Sequence, residues 1–346
     1  MNRRRFTQNN SGFTLVELLV VMAISLVLLG GLYQVYSGSL ASYSTNNGLS
    51  RIQENGRFAF YQLRRSLSGA GYLGCLQDES ALTSTLGSSS FNYDYSQAIY
   101  GLEALNNGTW QDNSGTVDPT VSGSANLALN SPAKKSDILV VREIDPEIQI
   151  AITADIDKTA TEIQLSSGLQ NTLAAIDDEV LLLTGCEGAT LFEWNSYSNS
   201  TGIMTLAAAL GNSYTEDALI FAPQTVVYYV SENTAGQPTL FRRTNSETAL
   251  ELVENVETMQ IRYGLDNDSD NYADSYVTAA GVSDWDDVVS VRIGLLLRSN
   301  TEIQHGEIDS KEYDVDGDGS TDFDPVDDRR LRIIMSTTVG LRNKLH

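Results

Sequence analysis

Gly12-Phe13-Thr14-Leu15-Val16-Glu17-Leu18 opens a run from Phe13 to Tyr36 in which Glu17 is the single charge among 24 residues. At about 1.5 Å per residue, a helix of that length covers roughly 36 Å, slightly more than the hydrocarbon thickness of a bilayer. Arg3, Arg4 and Arg5 precede it. Basic residues stay on the cytoplasmic side, so the chain beyond Tyr36 is expected outside. A secretory signal peptide shares the basic start, but its apolar region is about 7 to 15 residues and ends in a small-residue cleavage site. Here Gly30-Gly31 leads straight into Leu32-Tyr33-Gln34-Val35-Tyr36. An acid inside a membrane helix costs roughly 2.5 to 3.5 kcal/mol, so Glu17 is expected to have a function and a partner.

Beyond the apolar run, Leu49, Ile52, Gly56, Ala59, Leu63 and Leu67 recur at steps of three and four, a helical stripe. Arg51, Glu54, Asn55, Gln62 and Arg65 fall on the other face, and Ser68-Gly69-Ala70-Gly71 supplies a stop. One helix from about Phe13 to Leu67 would be roughly 80 Å long. Gly30-Gly31 and the stretch from Gly38 to Gly48 are the places where it would bend or melt. The domain reading is a basic segment over 1–12, a membrane-length helix over 13–36 and its amphipathic continuation over 37–68. A loop-rich region over 69–136, with little regular structure from Tyr72 to Pro132, precedes a β-rich head with acidic loops over 137–346.

Within the head, strands are expected at Asp137–Ile144, Glu147–Thr153, Thr161–Ser166, Glu179–Thr184, Gly202–Ala207 and Ala218–Ala222. More follow at Thr225–Ser231, Thr239–Arg243, Val256–Tyr263, Val288–Arg298 and Arg332–Arg342. Ala249–Val256 is expected to hold a short turn of helix. The fold class is α+β: a long N-terminal helix on a predominantly antiparallel β head.

Gly12-Phe13-Thr14-Leu15-Val16-Glu17-Leu18 resembles the class III signal of type IV prepilins. The resemblance implies cleavage between Gly12 and Phe13 by a membrane prepilin peptidase and methylation of the new amino terminus. It also implies that Glu17 pairs with a neighbouring subunit's terminal amine. A buried carboxylate and a buried ammonium are each expensive alone and become tolerable together in low dielectric. Arg51-Ile52-Gln53-Glu54-Asn55-Gly56-Arg57-Phe58-Ala59 and Gly69-Ala70-Gly71-Tyr72-Leu73-Gly74-Cys75 look like the PilW-type minor pilins. So do Leu240-Phe241-Arg242-Arg243, Val253-Glu254-Asn255-Val256-Glu257, Ile261-Arg262-Tyr263-Gly264, and the ending from Arg329 through Ser336-Thr337-Thr338-Val339 to Asn343.

That family implies a pilin-like fold and a non-enzymatic minor pilin of a type IV pilus, built into the fibre or priming its assembly. The implied partners are other major and minor pilins, the inner-membrane assembly machinery and a tip adhesin. The implied location is the inner membrane, with a cytoplasmic N terminus and a periplasmic head, and then the pilus at the cell surface. The alternatives are a minor pseudopilin of type II secretion and a membrane-anchored calcium-dependent adhesin or hydrolase.

With 45 Asp and Glu against 22 Lys and Arg, the 346 residues carry a formal charge of -23, or -26 without the three leader arginines. General attraction to nucleic acid is thereby disfavoured. Cys75 and Cys186 are the two cysteines. In an oxidising compartment they are expected to form a disulfide, with two unpaired thiols as the alternative. Asp314, Asp316, Asp318 and Asp322 occupy positions one, three, five and nine of a calcium-type loop with Gly319 at six, while Pro325 stands where a bidentate Glu is usual. Calcium is thus a candidate ligand, and no cofactor is expected to be required. Asp266, Asp268, Asp270 and Asp274 alternate similarly without the glycine. No nucleophile elbow, zinc-protease motif or phosphate loop occurs, and His305, the one internal histidine, reads as a surface residue. Catalytic residues are therefore expected to be none.

Overall fold

A computed structural model describes residues 14–76, 79–87, 91–105, 107–120, 127–176, 179–303 and 306–344. Its first element, α1 (Leu15–Gly69), is one unbroken helix through Gly30, Gly31 and Gly38, the expected weak points. The Thr14 side chain accepts the Glu17 amide while the Glu17 carboxylate accepts the Thr14 amide, a capping box that satisfies two otherwise orphaned donors. The large apolar side chains from Leu15 to Tyr36 are all exposed. From Ile52 onward the expected stripe is buried: Ile52, Gly56, Ala59, Leu63 and Leu67, joined by Phe60 and Ser66. Gly56 leaves room there for the Met335 thioether, which packs where a Cβ would stand.

The strands in chain order are β1 (Leu82–Ser84), β2 (Ile99–Ala104), β3 (Trp110–Asp112), β4 (Gly115–Val117), β5 (Ile138–Ala151) and β6 (Glu162–Gln164). A four-residue helix, α2 (Gln170–Leu173), precedes β7 (Val180–Thr184), β8 (Ala189–Ser198), β9 (Ile203–Leu206) and β10 (Leu219–Glu232). The series closes with β11 (Pro238–Thr244), β12 (Leu250–Glu254), β13 (Val256–Leu265), β14 (Ser275–Val277), β15 (Val288–Arg298) and β16 (Arg332–Gly340). A 12-stranded sheet runs β4-β3-β2-β5-β10-β7-β8-β9-β6, with β1 beside β8 and with β11 between β10 and β12. A 4-stranded sheet runs β14-β13-β15-β16. Among the described residues, the one parallel pairing is β1 on β8.

The long strands β5 and β10 tie the head together. Val226–Tyr228 pair with Leu139–Val141 in the body, and Leu219–Phe221 pair with Gln149–Ala151 beyond an irregularity at Phe221/Pro223. The far half of β10 also pairs with β7. A lobe with its own core thus grows from the sheet, where Ile150, Ile163, Leu181, Phe192, Met204 and Ile220 pack together. The main core joins Ile52, Leu63 and Leu67 of α1 to Ile99, Leu139, Val227, Ile261 and Ile293 of both sheets. Each such fully buried side chain contributes about 1.5 to 3 kcal/mol.

Three sequence expectations change. The region over 69–136 is not loop-rich throughout: it holds β1 to β4, and Ile99 and Leu102 of β2 are completely buried. Gly101 masks that strand in sequence, yet it is required, because a Cβ there would collide with the Tyr263 hydroxyl. Ala249–Val256 is not helical; it contains β12, whose pairing with β11 decides its conformation. The strands expected at Asp137–Ile144 and Glu147–Thr153 merge into one, β5, and those expected at Ala218–Ala222 and Thr225–Ser231 merge into β10, with the end residues Asp137, Ile152, Thr153 and Ala218 outside them.

Candidate functional site

Glu17 lies in the first turn of α1, near the partial positive charge of the helix N terminus. Its carboxylate takes the Thr14 amide at 3.2 Å and the Thr14 hydroxyl at 3.3 Å, so the exposed acid is held locally and pointed toward the start of the helix. Chemically this is an acceptor with spare lone pairs at the end of an apolar rod, suited to an incoming ammonium group. Gly12 and Phe13, the expected processing residues, lie outside the described residues, as does His305.

Cys75 and Cys186 are joined as a disulfide across 111 residues of chain. Cys75 follows the end of α1, and Cys186 follows β7. The Thr184 hydroxyl donates to the Leu73 carbonyl at 2.6 Å beside it, so lobe and helix end are tied twice. The unpaired-thiol alternative does not apply, because among the described residues no cysteine is free.

The 314–322 loop brings carboxylate oxygens of Asp314, Asp316 and Asp322 within 4.8 Å of one another. Calcium–oxygen distances are about 2.3 to 2.6 Å, so three oxygens at that spacing can share one ion. The loop holds its shape through its own amides: Asp314 accepts those of Gly317, Asp318 and Gly319, and Asp322 accepts those of Val315 and Asp316. Asp318, the fourth expected ligand, is outside the trio. Its carboxylate meets Arg262 of β13, which also holds Asp316 at 2.6 Å. The guanidinium thus supplies positive charge to the loop. Gly294 on β15 lets the loop lie close, since a Cβ there would strike the Val315 carbonyl.

Two acids beneath this loop went unnoticed in the sequence. Glu103 on β2 is pushed up to about 7, chiefly by burial, which Arg262 opposes and Asp316, Asp322 and Asp318 reinforce. One of its oxygens is buried without a hydrogen-bond partner. Asp137, just before β5, is fully buried, and burial together with Glu103 raises its carboxyl well above the usual range. Asp137 accepts the Ala104 amide at 2.9 Å and the Ile261 amide at 2.8 Å, joining the two sheets. A charged residue beside a β-run gives little warning of such a role, since most lie on the solvated face.

The 266–274 cluster brings Asp266, Asp268 and Asp274 together. Asp266 takes the amides of Ser269 at 2.8 Å and Asn271 at 2.7 Å, and Asp274 takes that of Asn267 at 2.8 Å, so both cap their own turn. A third charged group is internal: Arg332, 1 % exposed at its side chain, is bound to Glu257 at 2.7 Å, Asp328 at 2.7 Å and Asp309 at 3.1 Å. It anchors the long connection between β15 and β16.

Residues 227–343 match the family model of the type IV pilus-assembly protein W, and residues 7–33 match the prokaryotic N-terminal methylation motif. The first spans the second half of β10 through β16, with Arg262, the acidic loop and the Arg332 network. The second spans the leader and the start of α1. Among solved structures, a type IV-like pilin from Thermus thermophilus is 12% identical with a TM-score of 0.32, over 86% of this chain and 99% of that one. Among curated proteins, none matches.

Proposed function

We propose how this chain, a minor pilin of the type IV pilus, joins its filament. The observation that carries the proposal is Glu17, an exposed carboxylate on the first turn of an exposed apolar helix. Prepilin peptidase cuts between Gly12 and Phe13, and the new amino terminus is methylated. The helix then anchors the subunit in the inner membrane, with the head in the periplasm. Assembly replaces lipid around Leu15–Tyr36 with neighbouring helices, and the terminal amine of an adjacent subunit meets Glu17. The partners are major and minor pilins and the inner-membrane assembly machinery, to which the family resemblance adds a tip adhesin. The pilin families are structural proteins, and the pseudopilin and anchored-adhesin readings are not favoured by the matches. Leaving a buried charge without its partner costs several kcal/mol. Glu17→Ala is therefore expected to lower incorporation into sheared pili by more than about tenfold; wild-type incorporation would refute the charge pairing.

We further propose that calcium settles in the 314–322 loop, held by Asp314, Asp316 and Asp322, with a structural role. Three converging carboxylates repel one another, and a divalent ion removes that repulsion where Arg262 neutralises only one side of the loop. For a site with a dissociation constant near 1 mM, 10 mM calcium would add about 1.4 kcal/mol to stability. The melting temperature is expected to rise in calcium over EDTA, and to stay flat in an Asp314→Asn/Asp322→Asn variant. A wild-type protein indifferent to calcium would remove the site.

A further inference from the structure

The second half of α1 presents an outward stripe that the head leaves uncovered. Arg51, Glu54, Arg57, Phe58, Tyr61 and Arg65 are all exposed and linked by three- and four-residue steps on one helix face, while the neighbouring Arg64 is drawn onto the Thr337 hydroxyl of β16. Phe58 is 44% and Tyr61 61% exposed. Neither Arg51 nor Arg57 makes an ion pair among the described residues. Three arginines, Arg51, Arg57 and Arg65, against the single acid Glu54 on one strip of a chain with a net charge of -23 form a local reversal of sign.

The same chain offers the complement. Residues 145–222 contain twelve acids and one basic residue, Lys158. At one end of the lobe an isolated bridge between Ile156 and Tyr214 brings exposed Asp155, Asp157, Glu216 and Asp217 together, with the Glu216 amide on Asp155 at 3.0 Å. An anionic lipid surface does not fit the stripe. Along the helix, Arg51 stands about 22 Å beyond Tyr36 and Arg65 about 43 Å, whereas the Debye length at physiological salt is about 8 Å.

We propose that this arginine and aromatic stripe docks the carboxylate-rich surface of an adjacent pilin head, of the kind the 145–222 lobe presents. The proposal rests on the filament-subunit reading and names the partner surface for it. Complementary patches at different places on one chain make a heterologous contact, which propagates along a filament instead of closing into a dimer. Arginine forks pair carboxylates bidentately, and Phe58 and Tyr61 supply apolar area between them.

A photo-crosslinking p-benzoyl-phenylalanine at position 61, in bacteria assembling pili, tests this, with linked peptides identified by mass spectrometry. Crosslinks are expected on acid-rich head segments of a neighbouring pilin. Arg51→Glu/Arg57→Glu is expected to lower the crosslinked fraction about tenfold at equal envelope protein level, and Arg51→Lys/Arg57→Lys to retain most of it. Crosslinks confined to lipid or to apolar helices, an absence of crosslinks, or a yield indifferent to charge reversal would each overturn it. Glu17→Ala run in parallel separates the two readings. Pili that depend on Glu17 but ignore the stripe refute the stripe alone, whereas indifference to Glu17 refutes the charge pairing beneath it.

Discussion

Glu103 holds its proton in the folded head because burial outweighs the pull of Arg262. The unfolded chain gives up that proton near pH 4.5, and the native state near 7. Below the lower value this carboxyl costs nothing, and stability falls as pH rises through the window between them. Glu103→Gln, which removes the charge at constant shape, is therefore expected to stabilise the protein by up to about 3 kcal/mol at pH 8. At pH 5 the gain should shrink to under about 1 kcal/mol. Urea titrations at the two pH values check this, and equal gains at both would contradict it. At this scale the sequence was half legible. Glu17 and the acidic loop stand out because their neighbours are apolar or glycine-punctuated, whereas Glu103, Asp137 and Arg262 acquire their roles from strands 34 to 159 positions apart in a chain that shows no local signal. Their meeting depends on the pairing of β2 with β5 and on the contact between the two sheets.

At the level of elements, α1 was legible almost to its ends, since a 3.6-residue pattern and an apolar run both report directly on helix faces. The lobe was not. Its β8 mixes Glu193, Trp194, Asn195 and Ser196 with apolar residues, and short strands of that kind are specified by their neighbours on the sheet. The disulfide is what fastens this lobe to the end of α1. In the chain-entropy model, closing 111 residues restricts the unfolded state by up to about 4 to 5 kcal/mol. Cys75→Ser/Cys186→Ser is expected to lose about 2 to 5 kcal/mol of stability, measured by chemical denaturation of the oxidised wild type beside the variant. A loss near zero would mean that Thr184 and the cluster of Leu73, Leu182, Leu191 and Phe221 hold the junction unaided.

The whole molecule divides its labour along its length. An uncovered apolar rod bears Glu17 at one end and gives way to a helix face packed on two sheets, which carry the acidic loop, the Arg332 network and the lobe. On the proposed reading, the rod lies in a membrane before assembly and among other helices after it, and the acid at its tip meets its partner once the twelve residues ahead of Phe13 are removed. The intact mass of the protein recovered from the cell envelope tests this most directly. The account predicts a chain of residues 13–346 carrying one added methyl group, with its disulfide formed. A mass matching residues 1–346, with the arginine leader still attached, would contradict it.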